Sequence, residues 1–239
     1  MMFKYIKAFF KGLYKVVFAY PKICRYAKNK DKYSFEVRYA FLRKLIKIVF
    51  DSFDVKVNIE GFEKLNNKSC LFVSNHQGVM DALTMIYLCD RPMTFVCKIE
   101  AMKYPVISKA CQMIDVIFFD RDNIRDAVKM VKLTKNYLSS GLNVMIFPEG
   151  TRTKDENYMP GEYKAGALKP AFETKSDIAT FCMDGSYKVF SKKYTTNIHV
   201  DVSLLDVLSY EKYKDENTSE LAVKIQGKTK EKLTEIRKQ

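Results

Sequence analysis

Nine Gly and six Pro in 239 residues are too few for a collagen-like or linker-rich chain, and an apolar share of 47% is too large for a disordered one. No stretch reaches the roughly 18 uncharged apolar residues that a spanning helix requires, which argues against a polytopic membrane protein. The six Cys, at 24, 70, 89, 97, 111 and 182, lack C-x-x-C spacing and have no His beside them. Several stand inside apolar runs, the pattern of reduced core thiols rather than of a disulfide framework or a zinc site. There is no G-x-S-x-G elbow, no internal repeat and no low-complexity segment. The spacing Gly161 to Gly166 is followed by Ala167-Leu168, not by the Lys-Ser/Thr pair of a phosphate-binding loop. What remains is one globular domain with an appendage.

Acid is scarce where base is abundant. Residues 1–50 hold 13 Lys and Arg against 2 Asp and Glu, whereas the remaining 189 hold 28 against 26. Nearly all of the net charge of +13 therefore sits on an N-terminal segment attached to an almost neutral body, the place for a polyanionic partner. Lys4, Lys7, Lys11 and Lys15 recur at helical spacing among large apolar residues from Phe3 to Phe18. Pro21 stops or kinks that helix, a polar basic stretch follows to Lys32, and Val37–Phe53 reads as a second helix carrying Arg38, Arg43, Lys44 and Lys47. Residues 1–53 are thus expected to form an amphipathic two-helix hairpin. Its apolar side chains would enter the acyl boundary of a membrane and its lysines would meet anionic headgroups; the competing use of the same faces is to cover the core of the body. Lysines interrupt any signal-peptide core and no small-residue cleavage site follows. Cations interleaved with large apolar side chains also differ from a nucleic-acid footprint, and no nucleic-acid motif is present.

From residue 54 to 239 short apolar runs alternate with helical patterns. Cys70–Ser74, Met93–Cys97, Ile114–Phe119 and Asn143–Phe147 read as strands buried on both faces, and Asp177–Met183 and Asn197–Leu205 as later strands. A helical stripe from Ile124 to Leu138 lies between the third and fourth, with Asp122 as its expected cap and Gly141 as its end. The order predicts an α/β fold, a mainly parallel central sheet flanked by helices. The tail from Asn217 to Gln239 reads as a Lys/Glu-rich amphipathic helix, a solvated face rather than a site.

Chemistry-bearing residues follow the strands, where an open α/β sheet builds its sites. There are only two histidines. His199 lies on the polar side of an alternating run and reads as a surface residue. His76 follows the first buried strand in Ser-Asn-His-Gln-Gly-Val-Met-Asp, and a turn leading into a helix would bring Asp81 back to its ring, fixing the tautomer and leaving one nitrogen free for a proton. Pro148-Glu149-Gly150-Thr151-Arg152 follows another strand, with Gly150 permitting a tight turn, while Arg121 and Lys98 follow two more.

Asn75-His76-x-x-x-x-Asp81 with Phe147-Pro148-Glu149-Gly150-Thr151-Arg152 resembles the glycerolipid acyltransferase family, in particular its 1-acyl-glycerol-3-phosphate (lysophosphatidic acid) acyltransferases. Ile117-Phe118-Phe119-Asp120-Arg121 is similar to that family's intermediate block and Lys164-Ala165-Gly166 to its K-x-G element. Its fourth block, usually an apolar run with proline, corresponds to Ile178–Cys182, which has none. The resemblance implies transfer of an acyl group from acyl-CoA or an acyl carrier protein thioester to the sn-2 hydroxyl of lysophosphatidic acid, or to another lysophospholipid or lyso-lipid. His76 would be the general base and Asp81 its orienting partner. Lys98, Arg121 and Arg152 would bind the phosphate, and Glu149, within the Glu149-Gly150-Thr151-Arg152 turn, would position the glycerol and pair with Arg152. No metal or organic cofactor and no nucleic acid is implied. The expected location is the cytoplasmic face of the cell membrane, peripheral or monotopic, with residues 1–50 on the anionic surface.

Overall fold

The computed structural model describes residues 2–191 and 198–238. Its ten α-helices among the described residues are α1 (Met2–Ala8), α2 (Tyr14–Phe18), α3 (Tyr20–Lys28), α4 (Phe35–Ser52), α5 (Met80–Leu88), α6 (Pro105–Met113), α7 (Ile124–Ser139), α8 (Lys169–Thr174), α9 (Tyr210–Tyr213) and α10 (Thr218–Ile236). Seven strands, β1 (Val55–Glu60), β2 (Cys70–Ser74), β3 (Met93–Lys98), β4 (Ile117–Phe119), β5 (Asn143–Ile146), β6 (Asp177–Asp184) and β7 (Ile198–Leu208), form one sheet in the order β1-β7-β6-β2-β5-β3-β4. All neighbours are parallel except β6 and β7. The carboxyl ends of β2 to β6 therefore share one edge.

The strands form because they are apolar on both sides. Leu71 of β2 stands between Val144 of β5 and Ile178 of β6, while the next residue, Phe72, stands between Met145 and Ala179. Successive side chains point to opposite faces, so one register supplies two cores. Leu71, Val144 and Ile178 pack with Met130 of α7, Ala171 of α8 and Leu221 and Ile225 of α10. Phe72, Met145 and Ala179 pack with Met85 of α5 and with Tyr39, Leu42, Ile46 and Phe50 of α4. Asn217 caps α10 by accepting from Ser219 N and Glu220 N at 3.0 and 2.9 Å, and Ser34 caps α4 by accepting from Val37 N at 3.4 Å.

Several elements differ from the sequence expectation for physical reasons. The strand expected from Ile114 is only Ile117–Phe119, because α6 ends at Met113 and Asp115 turns with φ 54°. Asn123 rather than Asp122 caps α7, its side chain accepting from Arg125 N at 3.0 Å. The final strand begins at Ile198, Asn197 lying outside the described residues. Strand β1 was not anticipated: Val55, Val57 and Ile59 alternate with Lys56, Asn58 and Glu60, the pattern of a one-sided edge strand that a search for buried runs passes over. The tail helix α10 is amphipathic as expected, with Leu221, Ala222, Ile225, Thr229 and Leu233 buried.

The N-terminal hairpin has two arms, 2–28 and 35–52. The first runs on through Pro21, which sits in the first turn of α3, after a break at Ala19. A π-helical turn at 9–13 kinks it at Gly12, whose φ of 144° and closeness to Ile48 and Ser52 let the arm lie against α4. Of the lysine stripe only Lys4 turns inward; Lys7, Lys11 and Lys15 are exposed. Lys4 is buried and donates to Val189 O at 2.7 Å, Lys7 and Lys11 both pair with Asp54, and Lys15 lies 5.9 Å from the Tyr14 ring. The outward face is also aromatic, with Phe10 79% and Phe18 78% exposed beside Ile6, Phe9, Tyr14 and Val17. Among the described residues no helix is long and apolar enough to cross a membrane.

The second arm is part of the body. Phe50 is 1% exposed and stacks on Tyr87 of α5 at 4.6 Å and 5°. Phe50→Ala is expected to cost about 3–5 kcal/mol of unfolding free energy, measured by urea denaturation; a loss below about 1 kcal/mol would show α4 to be a detachable appendage.

Candidate active site

The chain leaves β2 at Ser74 and enters α5 at Met80, and the intervening turn curls around one carboxylate. Asp81, in the first turn of α5, is 0% exposed. Its Oδ2 lies 2.6 Å from His76 Nδ1 and accepts from the backbone N–H of Gln77 at 2.6 Å and of Gly78 at 2.9 Å. Its Oδ1 accepts from the buried hydroxyl of Ser186. A carboxylate acceptor on this side requires the proton on Nδ1 and leaves Nε2 as the basic nitrogen. The imidazole stacks on Phe147 at 4.3 Å and 17°, and the His76 side chain keeps 20% exposure, so substrate has access to a ring that cannot rotate freely.

The turn is templated by the end of β6. Asn75 donates to Met183 O and accepts from Met183 N, both at 2.8 Å. Gln77 donates to Asp184 Oδ1 at 2.9 Å and accepts from Gly185 N at 3.1 Å, and Ser186 holds Asp81. Three side chains around His76 are thereby fixed by consecutive residues 183–186. None of these partners was identified from sequence; the available signal was that Asp184-Gly185-Ser186 also follows a strand at the same edge.

β5 lies between β2 and β3, which sets the segment after it beside His76. Glu149 is buried, and its carboxylate accepts from His76 N at 2.7 Å and Gly161 N at 2.9 Å. Thr153 N donates to His76 O at 2.8 Å. Both backbone groups of His76 are thus held by the 149–153 segment. This corrects the expected pairing of Glu149 with Arg152: the carboxylate is satisfied by backbone donors. Burial pushes the Glu149 carboxyl above its ordinary range and outweighs the Gly161 and His76 N–H bonds, which act in the opposite direction. Gly150 turns with φ 69°, and a Cβ there would lie 3.5 Å from Lys164 Nζ. Lys164 is anchored by its N–H to Pro148 O at 3.0 Å, so its ammonium overhangs the turn, a position its sequence separation did not indicate.

Thr151 and Arg152 are exposed on the same turn. Lys98, expected just beyond β3, is its last residue and pairs in register with Phe119, two residues before Arg121. Burial pushes the Cys97 thiol up while the charges of Arg121 and Lys98 pull it down, which puts both cations at that end of β3. Lys98, Arg121, Arg152 and Lys164 form no ion pair with the described residues. With strands about 4.8 Å apart, β4 stands roughly 14 Å from β2 across β5 and β3, within reach of an arginine and a small substrate together. Among the described residues no group of three or more His, Cys, Asp and Glu is disposed to hold a metal ion. His199 is exposed at the start of β7, which runs antiparallel to β6, so its backbone lies beside Gly185 at this same edge.

Residues 56–184 match the Acyltransferase family. A probable 1-acyl-sn-glycerol-3-phosphate acyltransferase of Mycoplasma pneumoniae is 30% identical over 166 residues, covering 67% of this chain and 61% of that protein. The 1-acyl-sn-glycerol-3-phosphate acyltransferase of Borreliella burgdorferi is 28% identical over 190 residues, 77% of this chain and 75% of that protein. The chain spans only 61% and 57% of the lengths of the M. pneumoniae relative and its Mycoplasma genitalium counterpart. The crystal structure of the 1-acyl-sn-glycerophosphate (LPA) acyltransferase PlsC from Thermotoga maritima shares the fold, with a TM-score of 0.77 over 99% of this chain and 98% of that chain at 18% identity.

Glu149→Gln tests the clamp. An amide accepts through one oxygen and sets its NH2 against the other N–H, leaving a buried donor unpaired, so stability is expected to fall by about 1–3 kcal/mol in chemical denaturation. An unchanged midpoint would mean that the two bonds do not hold the turn.

Proposed function

Because the chain belongs to the Acyltransferase family, we propose that it transfers a fatty acyl group from acyl-CoA or an acyl carrier protein thioester to the sn-2 hydroxyl of 1-acyl-glycerol-3-phosphate, giving phosphatidic acid. The observation that carries this reading is the His76 ring held by the buried Asp81 at 2.6 Å, at a sheet edge where four cations are without ion pairs among the described residues.

The acceptor hydroxyl gives its proton to His76 Nε2 as its oxygen bonds to the thioester carbonyl carbon. The tetrahedral adduct then collapses, the carbon–sulfur bond breaks, and the leaving thiolate takes the proton back from the imidazolium. Asp81 steadies that imidazolium without taking its proton. Direct attack is preferred to a cysteinyl intermediate, since burial pushes Cys70 up to about 11 and Cys111 and Cys182 up to about 12, far from the thiolate form a nucleophile needs. Arg152 on the turn after β5, Lys164 overhanging it, Lys98 at the end of the neighbouring β3 and Arg121 after β4 would hold the phosphate; guanidinium groups match its oxygens bidentately. Glu149 would act on the acceptor only through the backbone it fixes. The test is a purified-protein assay of lysophosphatidic acid and other lysophospholipids with both donors, read by mass spectrometry of the product. Wild type should form phosphatidic acid, and His76→Ala should lower turnover by about a thousandfold or more with its circular dichroism unchanged. Near-normal turnover by that variant would remove His76 as the base, and transfer only to phosphate-free acceptors would remove the phosphate assignment.

The acceptor is a lipid, and the outward aromatic face of the first arm suits contact with a bilayer. Residues 1–53 would dock the 54–239 acyltransferase unit peripherally on the cytoplasmic face of the cell membrane. Arg25, Lys28, Lys32 and Lys44, exposed and without ion pairs among the described residues, would supply the electrostatic part. Phe10→Ser/Phe18→Ser is expected to weaken association with phosphatidylglycerol-containing vesicles by about tenfold or more in co-sedimentation. Wild-type binding by the double variant would place the contact elsewhere.

A further inference from the structure

We propose that Arg237, just beyond the end of α10, is a positioning residue for His76, acting through Asp184 and Gln77. Its guanidinium grips Asp184 with two prongs, Nε to Oδ2 at 3.1 Å and Nη2 to Oδ1 at 2.6 Å, and its third nitrogen donates to Asn157 O at 2.5 Å. Asp184 is nearly buried, and its Oδ1 also accepts from Gln77 Nε2 at 2.9 Å. Gln77 is itself buried and has its side chain fully used: the amide also donates to Tyr158 O at 3.3 Å, and its oxygen accepts from Gly185 N at 3.1 Å. The backbone N–H of the same residue donates to Asp81 Oδ2 at 2.6 Å, the oxygen that receives His76 Nδ1.

A continuous set of charge-assisted and neutral hydrogen bonds thus runs from the last turn of the chain to the carboxylate that orients the imidazole. Each link is directional. If Arg237 is lost, a nearly buried Asp184 carboxylate keeps the Gln77 amide and the charge of Lys188 in place of a two-pronged guanidinium, and Gln77 must follow whatever position Asp184 then takes. The Gln77 backbone moves with its side chain, and the geometry of the shared Oδ2 changes with it. Displacements of this kind lower turnover steeply because the base must meet the acceptor hydroxyl within hydrogen-bond reach. Arg237 lies outside residues 56–184, which match the family.

The proposal rests on His76 as the base, and its test separates the two. Arg237→Met keeps the bulk and loses the hydrogen bonds; Arg237→Lys keeps the charge and loses the fork. In the full chain, Arg237→Met is expected to lower kcat about tenfold or more with the acceptor KM within about twofold, and Arg237→Lys to recover part of it. Because the chain has two histidines, a His199→Gln background leaves a single ring to follow by NMR. The Nδ1–H resonance of His76 should shift or broaden in Arg237→Met at a temperature well below its unfolding transition. Unchanged kcat with an unchanged His76 resonance overturns the proposal, and so does an equal loss in the Met and Lys variants that tracks only a lowered Tm. If wild type transfers no acyl group, the functional reading fails, while the His76 resonance still decides whether Arg237 positions the ring.

Discussion

Asp81 is the group on which the arrangement of the site depends. A carboxylate with no exposure to water is tolerable only when its oxygens are occupied by donors, and here four converge on it: His76 Nδ1, Gln77 N, Gly78 N and Ser186 Oγ. Satisfying that one charge dictates the course of the chain from 76 to 81, fixes the imidazole tautomer and draws β6's extension against β2's. The energetic need of a buried acid and the functional need of an oriented base are met by the same bonds. Removal of a single donor therefore acts on both fold and chemistry, and only measurements that separate kcat from stability distinguish them.

Strand order does the remaining assembly. β5 comes late in the chain but is inserted between β2 and β3, and this puts Glu149 and Thr153 on either side of the His76 peptide unit. A carboxyl group that looks catalytic in the sequence is, in space, a bracket between two loops. The central position of β6, paired with β2 and β7, also gives a reason for the apolar run Ile178–Cys182 to lack proline, since proline would remove a ladder donor from an interior strand.

Much of this was legible in the sequence. β2, β5 and β6 are apolar on both faces, so their runs are unbroken, and His76, Glu149, Arg152 and Arg121 follow strands that the topology then aligns. The illegible parts are those that depend on distant pairings. Ser186 and Asp184 are 105 and 107 residues from their partners Asp81 and Gln77, and nothing local distinguishes Arg237 from the other cations of a Lys-rich helix. Arg152 and Glu149, three residues apart, invite pairing on paper, but the backbone N–H groups of His76 and Gly161 occupy the carboxylate first. Residue type identified the chemistry, while burial and strand order decided which partner each group has.

The N-terminal charge illustrates the same division. An amphipathic pattern fixes the angle between a lysine stripe and an aromatic stripe, but not which of them faces the protein. Here Asp54, which turns out of the hairpin with φ 54°, pairs with Lys7 and Lys11 at the surface, and Val189 O takes the buried Lys4. Both stripes therefore reach solvent: Lys7, Lys11 and Lys15 are exposed along with Phe9, Phe10 and Phe18, and only Lys4 turns inward. A single acid at the junction between hairpin and sheet thus ties two lysines of the first arm to the body. Cations further along, Arg25 and Lys28 on α3, Lys32 and Lys44, remain at the surface. The strongly basic segment is consequently two populations of charge, one paired within the molecule and one open to solvent, and because the Lys7 and Lys11 pairs with Asp54 are themselves exposed, salt screens these as well.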